Sequence, residues 1–171
     1  MTAEPTLRVI DIIPGTSVDG PGLRTSIYFA GCAHQCEGCH NPQSWSFDAG
    51  QNMTISEIVA VIEENGFNVT FTGGDPLYQI IPLTALAEEL VKRGYKIWCF
   101  TGFLFEEVEK LPGAANILPY LDVIVDGPFK IAQRNTSLIF RGSENQRLID
   151  VRRTLQSGEI TQWSESSIHW S

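Results

Sequence analysis

Two hydrophobic rhythms take turns along this 171-residue chain. Residues 24–31 (RTSIYFAG) read as a strand: Ile27 and Phe29 alternate with polar Ser26, and Tyr28 favours extended backbone. The period then lengthens. In residues 54–66 (TISEIVAVIEENG), Ile55, Ile58, Val59 and Ile62 stand at offsets of 3, 4 and 7, the stripe of a helix that buries one face. Thr54 with Glu57 forms a capping-box pattern, and Gly66 is the stop. A strand over 68–74 (NVTFTGG) follows, then a helix over 82–94 with Pro82 in its first turn and Gly94 at its end. Residues 95–102 read as a strand, 104–111 as a short helix and 121–129 as a fourth strand. Beyond that the pattern weakens. Residues 138–143 and 147–155 each have room for a short strand, and about 154–171 form a polar tail with scattered tryptophans.

Strands alternating with helices predict βαβ units and a mostly parallel sheet in one α/β domain, 1–171, with its core over about 8–153. A closed eight-stranded barrel takes about 250 residues. The chain is too short for that, which leaves an open, partial barrel or a doubly wound sheet. In either, chemistry collects at the C-terminal ends of the strands. The polar, glycine-rich turns fall there: a cysteine loop after the first strand, then Gly73-Gly74-Asp75, Thr101-Gly102 and Asp126-Gly127-Pro128.

Composition narrows the class. With 43% hydrophobic and 19% charged residues the chain reads as globular, and it has no apolar run near the ~20 residues that cross a bilayer. The first residues lack the basic and apolar regions of a secretion signal, so a cytoplasmic location with reduced thiols is expected. A net charge of −8 repels nucleic acid and anionic membranes, and neither is an expected partner. The charge is uneven. Lys130, Arg134, Arg141, Arg147, Arg152 and Arg153 face only Glu144 and Asp150 in their segment, a local +4 that leaves −12 elsewhere in the total of −8. Such a segment is a solvated mixed-charge surface or a site for an anionic group or acidic partner.

The chemistry concentrates in residues 31–45, GCAHQCEGCHNPQSW, where Cys32, Cys36 and Cys39 are spaced C-x3-C-x2-C. Structural zinc takes four ligands, and His34, His40 or Cys99 could complete a set. His40 directly follows Cys39, however, and Cys99 lies in an apolar run (IWCF) that suits a small core thiol. Alternatively, three thiolates hold three irons of a [4Fe–4S] cluster and leave the fourth open to a small molecule. Gly31 and Gly38 would let the backbone pass close to it.

The C-x3-C-x2-C loop after the first strand resembles the radical S-adenosylmethionine (SAM) superfamily. SVDGPGLRTSIYFAGCAHQCEGCHNPQSW and FTGGDPL resemble the activases of glycyl-radical enzymes. VIVDGPF and FRGSENQRLIDV are most similar to the activating proteins of anaerobic ribonucleotide reductase, and the likeness covers most of residues 8–153. It implies a partial, open (βα) barrel of the radical SAM type. It implies a [4Fe–4S] cluster held by Cys32, Cys36 and Cys39, with SAM on the open iron and its amino group received by Gly73, Gly74 and Asp75. Reductive cleavage would give a 5′-deoxyadenosyl radical. That radical would make a glycyl radical on the glycyl-radical subunit of anaerobic ribonucleoside-triphosphate reductase, with a flavodoxin- or ferredoxin-like electron donor. A short radical SAM enzyme acting on another glycyl-radical enzyme, or on a small molecule in the manner of a deazapurine synthase, is the alternative. The resemblance also places Asp19-Gly20-Pro21-Gly22 near the cluster, with Arg24 steering an anion, and makes Arg141 and Arg147 candidates for the SAM carboxylate beside Asp126. Gly38 stands where many relatives carry an aromatic residue, and Asp75 where many carry Glu. Trp45 is expected to pack.

Overall fold

The computed structural model describes residues 4–32, 34 and 46–164. Seven strands form one sheet: β1 (Thr6–Thr16), β2 (Arg24–Phe29), β3 (Gln51–Thr54), β4 (Asn68–Gly73), β5 (Ile97–Phe100), β6 (Val123–Asp126) and β7 (Arg147–Asp150), in the order β3-β1-β2-β4-β5-β6-β7. The helices are α1 (Ile55–Asn65), α2 (Ile80–Lys92), α3 (Phe105–Val108), α4 (Ala114–Ile117) and α5 (Val151–Ser157). None among the described residues is long and apolar enough to cross a membrane.

The expected parallel sheet is its centre alone. β2, β4, β5 and β6 run parallel, while β1 and β3 on one edge and β7 on the other run antiparallel. The physical distinction is burial. Parallel strands under helices read as apolar runs, whereas β1 is half-exposed and its register with β2 shifts twice, which breaks the alternation that would reveal it. Residues 138–143 form no strand, and 147–155 split into β7 and α5. The helix expected over 82–94 begins earlier, at Ile80, because a 3₁₀ turn over Pro76–Gln79 feeds directly into it.

Among the described residues, all five α-helices lie against one face of the sheet. Ile58 and Ile62 of α1, Leu83, Leu86 and Leu90 of α2, Phe105 of α3, Ile117 of α4 and Val151 of α5 join Ile27, Phe29, Phe71, Cys99 and Ile124 in one buried cluster. The doubly wound alternative, with helices on both faces, does not describe this arrangement. The strand residues of opposite parity face the other way, where Trp98, Val123 and Val125 pack with Phe100, Phe140, Leu148 and Trp163. Part of the expected polar tail belongs to this face. Asp150 N–H donates to Thr161 O (2.8 Å) and Trp163 N–H to Leu148 O (2.8 Å), laying residues 161–163 along β7 with the Trp163 ring 4.9 Å from that of Trp98.

Arg24 opens β2 opposite Asn68, at the N-terminal end of the parallel strands, and is 2% exposed. Its guanidinium donates to Thr70 Oγ1 (2.9 Å), Val69 O (2.8 Å) and Lys96 O (3.3 Å), with Trp98 stacked 5.7 Å away. Desolvation pushes its pKa down to about 10 against the opposing pull of Asp122 and Asp19, so it is charged at neutral pH. Thr70 Oγ1 donates to Asp19 O, which fastens the Asp19–Gly22 turn at this same end. The resemblance placed that turn and Arg24 near the cluster; the structure places both at the far end of the strands from the cysteine loop.

The capping box of α1 is present, with Glu57 N–H on Thr54 Oγ1 and Thr54 N–H on Glu57 Oε1, both at 3.1 Å. Thr54→Ala should therefore lower stability by about 1 kcal/mol, read as a fall in the urea midpoint at unchanged slope; an unchanged midpoint would contradict a working cap.

Candidate functional site

At the opposite, C-terminal end, β4 closes on Gly73 at φ +106°, and a Cβ there would lie 2.3 Å from Phe29 N. Only glycine allows that approach. It lets Gly74 N–H reach Phe29 O (2.8 Å) and Asp75 N–H reach Gly31 O (2.7 Å), stitching the Gly73-Gly74-Asp75 turn to the beginning of the cysteine loop. Cys32, the next residue, is half-buried. Cys36 and Cys39 lie outside the described residues, as do Gly38, His40 and Trp45.

Asp75 is fully buried, and protein donors occupy both its carboxylate oxygens. Oδ1 accepts from Leu77 N–H (3.0 Å), which caps the 3₁₀ turn into α2. Oδ2 accepts from Thr101 Oγ1 (2.8 Å), Gly102 N–H (2.9 Å) and His34 Nε2 (2.8 Å). The carboxylate thus joins the ends of β4 and β5 to a side chain of the cysteine loop. The resemblance gives Asp75 an ammonium to face; in the structure the four donors described around its carboxylate all come from the protein itself. His34 fits only because residue 102 is glycine, since a Cβ there would sit 2.5 Å from its ring. The imidazole lies edge-on to Phe103 (4.6 Å between centroids) and beside Tyr78 (5.7 Å), which in turn meets Phe47 (5.4 Å).

Asp126, the last residue of β6, is also fully buried. It accepts from Phe105 N–H (2.8 Å) at the start of α3 and from the Arg147 guanidinium, whose Nε lies 3.0 Å from Oδ1. Arg147 also reaches Glu106 at 2.7 Å. Hydrogen bonding to Asp126 holds the Arg147 pKa above its ordinary value, against partial desolvation and with help from Glu106. Arg147 is therefore engaged by two carboxylates of its own chain. Arg141 donates to Gln146 O at 2.6 Å. Arg152 and Arg153, of the basic segment, line a groove of about 620 Å³ at the far end, together with Lys96, Arg24, Asp122 and Asp150. Its carboxylates make that a mixed-charge surface.

Cys99 pairs in register with Phe71 and Ile124 and has no exposure. Burial pushes its thiol pKa well up, with Asp75 adding to the effect, so it stays protonated as a core residue. Sequence reasoning found the turns but missed what joins them. His34 figured only as a zinc ligand, and nothing local pairs it with a residue forty-one positions away. The small residue at 102 beside a hydroxyl at 101 was the one available hint.

Comparison with known proteins gives the class first: residues 18–149 match the family described as 4Fe-4S single cluster domain. Among curated proteins, the anaerobic ribonucleoside-triphosphate reductase-activating protein of Haemophilus influenzae is 35% identical over 150 residues, 82% of this chain and 96% of that protein. Its counterpart from Enterobacteria phage T4 is 36% identical over 80% of this chain and 90% of that protein. The one from Vibrio cholerae is 36% identical over 75% and 88%. The chain belongs to the family of anaerobic ribonucleoside-triphosphate reductase-activating proteins. The crystal structure of QueE from Escherichia coli overlaps 57% of this chain and 52% of its own at 21% identity and a TM-score of 0.49, a likeness too slight to bear on fold or function.

Removing Arg147 would leave Asp126 a buried carboxylate without its cation. Arg147→Gln should destabilise the metal-free chain by about 3 kcal/mol; a urea midpoint within error of the parent would contradict the internal role assigned to this arginine.

Proposed function

We propose that this chain is a cytoplasmic radical SAM activase that installs a glycyl radical on the anaerobic ribonucleoside-triphosphate reductase for which its relatives are named. The observation that carries the reading is the junction at Asp75, where the Gly73-Gly74 turn, the Cys32 end of the cysteine loop and the Thr101-Gly102 end of β5 meet at one edge of the sheet. Thiolates are the ligands that iron–sulfur clusters take. Cys32, half-buried and carried off the end of β2 by Gly31 at φ +99°, fits as one of three, with Cys36 and Cys39 as the others. Held by these three thiolates with one iron open, the cluster, once reduced by the electron donor, would supply one electron for cleavage of S-adenosylmethionine to methionine and a 5′-deoxyadenosyl radical, the oxidant for a glycine Cα–H of the reductase.

This chain's own residues bind and orient. Gly73 and Gly74, half-buried and without side chains of their own, are suited to receiving the amino group of SAM, and the buried Asp75 carboxylate follows them in the turn. Arg147 is committed to Asp126 and Glu106, so the carboxylate of SAM needs another partner. The one-sided layer of α-helices among the described residues suits an open, partial barrel into which a loop of a large partner can enter. A flavodoxin- or ferredoxin-like protein is the natural electron donor.

Anaerobic reconstitution tests the reading. The parent chain and Cys99→Ala should take up iron and sulfide alike, and Cys36→Ala should lose the cluster. Reduced protein, SAM and the reductase together should give a glycyl EPR doublet in step with 5′-deoxyadenosine. A colourless zinc protein would defeat the proposal, and so would 5′-deoxyadenosine without any doublet on the reductase.

A further inference from the structure

His34 sits between two of the three clustered cysteines, yet its ring turns inward, to a carboxylate at the core of the strand-end junction. The donors Leu77 N–H, Thr101 Oγ1 and Gly102 N–H already point at this carboxylate, and His34 joins them with Nε2 at 2.8 Å from Asp75 Oδ2. The imidazole is held on its other sides as well. Phe103 stands edge-on at 4.6 Å, Tyr78 lies at 5.7 Å, and Gly102 opens space that a Cβ would fill at 2.5 Å from the ring. The side chain is 16% exposed. Asp75 itself is immobilised by Leu77, Thr101 and Gly102, so it is a rigid anchor.

We propose that His34 and Asp75 form a brace that fixes the entry of the cysteine loop over the ends of β4 and β5, in the metal-free chain as well as in the loaded one. Both are positioning residues. Asp75 acts through His34 on Cys32, two residues away, and the acidic position of the Gly-Gly-Asp turn serves to pre-organise the metal ligands. The brace has a second tie: Asp75 N–H on Gly31 O at 2.7 Å holds the residue before Cys32 from the same turn. With Gly31 and His34 each bonded to Asp75, Cys32 is set in place before any metal arrives. Hydrogen bonds to charged groups are the strong ones, and an anchor already built in lowers the ordering that metal binding must impose on the loop. The inference deepens the proposed function, on which it rests only for Cys32 being a ligand.

The test uses the reduced, metal-free full chain and reads alkylation of individual cysteines by iodoacetamide with peptide mass spectrometry. His34→Leu, which keeps bulk but loses the donor, should raise the rate at Cys32 on the order of tenfold, the factor that corresponds to ~1.4 kcal/mol of lost anchoring. His34→Gln retains an N–H that can reach Asp75 and should restore most of the protection. Gly102→Ala, which leaves both partners in place but closes the space for the ring, should mimic His34→Leu and serves if that variant does not fold. Cys99, buried in β5, should stay unreactive throughout. Equal Cys32 rates in the parent, His34→Leu and Gly102→Ala would overturn the brace. A rise at Cys99 in step with Cys32 would do the same, since it marks general loosening. Failure of the parent chain to assemble a cluster would sink the activase reading and leave this result untouched.

Discussion

The working edge of this protein depends on one buried carboxylate. Asp75 takes four hydrogen bonds from three different stretches of chain: the turn that starts α2, the end of β5 and the cysteine loop. A charge taken out of water is costly unless its oxygens are occupied, so each of those stretches is held where its donor is needed. Parallel strands give no short turn to fix their ends relative to one another. Here a side chain supplies that fixation, at the edge where a βα fold gathers its chemistry.

Steric allowance decides which residues can surround that carboxylate. Gly73 lets β4 close against the backbone of Phe29, and Gly102 lets the His34 ring lie over β5. Each removes a methyl group that would separate two elements, and the polar contacts follow from the closeness.

The two ends of the parallel strands are built from opposite materials. At the N-terminal end a buried cation, Arg24, is satisfied by neutral oxygens and a tryptophan ring, and the Asp19–Gly22 turn packs around it. At the C-terminal end buried anions, Asp75 and Asp126, are satisfied by backbone N–H groups, a hydroxyl, an imidazole and a guanidinium. The first end is a structural plug. The second gathers a thiol, a glycine-rich turn and aromatic rings in one place.

The alternation of helices and strands from residue 54 to 126 was legible because the helices bury one face at an uninterrupted period and the central strands, buried throughout, read as short apolar runs. The three cysteines and the Gly-Gly-Asp turn were legible because their signal is local. β1 was not, since an antiparallel edge with two register shifts carries no clean period, and β7 was blurred into α5 by the single residue pair that ends one and begins the other. The far-end position of Asp19–Gly22 was hidden for a related reason: a turn motif states its own shape and says nothing about the end of the sheet on which the chain reverses. By itself, then, the sequence determined the α/β class, the cysteine loop and the strand-end turns, all properties of short segments. Only the tertiary structure decided that Asp75 faces His34, Thr101 and Gly102, and that Arg147 belongs to Asp126. Those pairings join residues made neighbours by strand order, and strand order depends on which apolar faces cover one another across the whole chain.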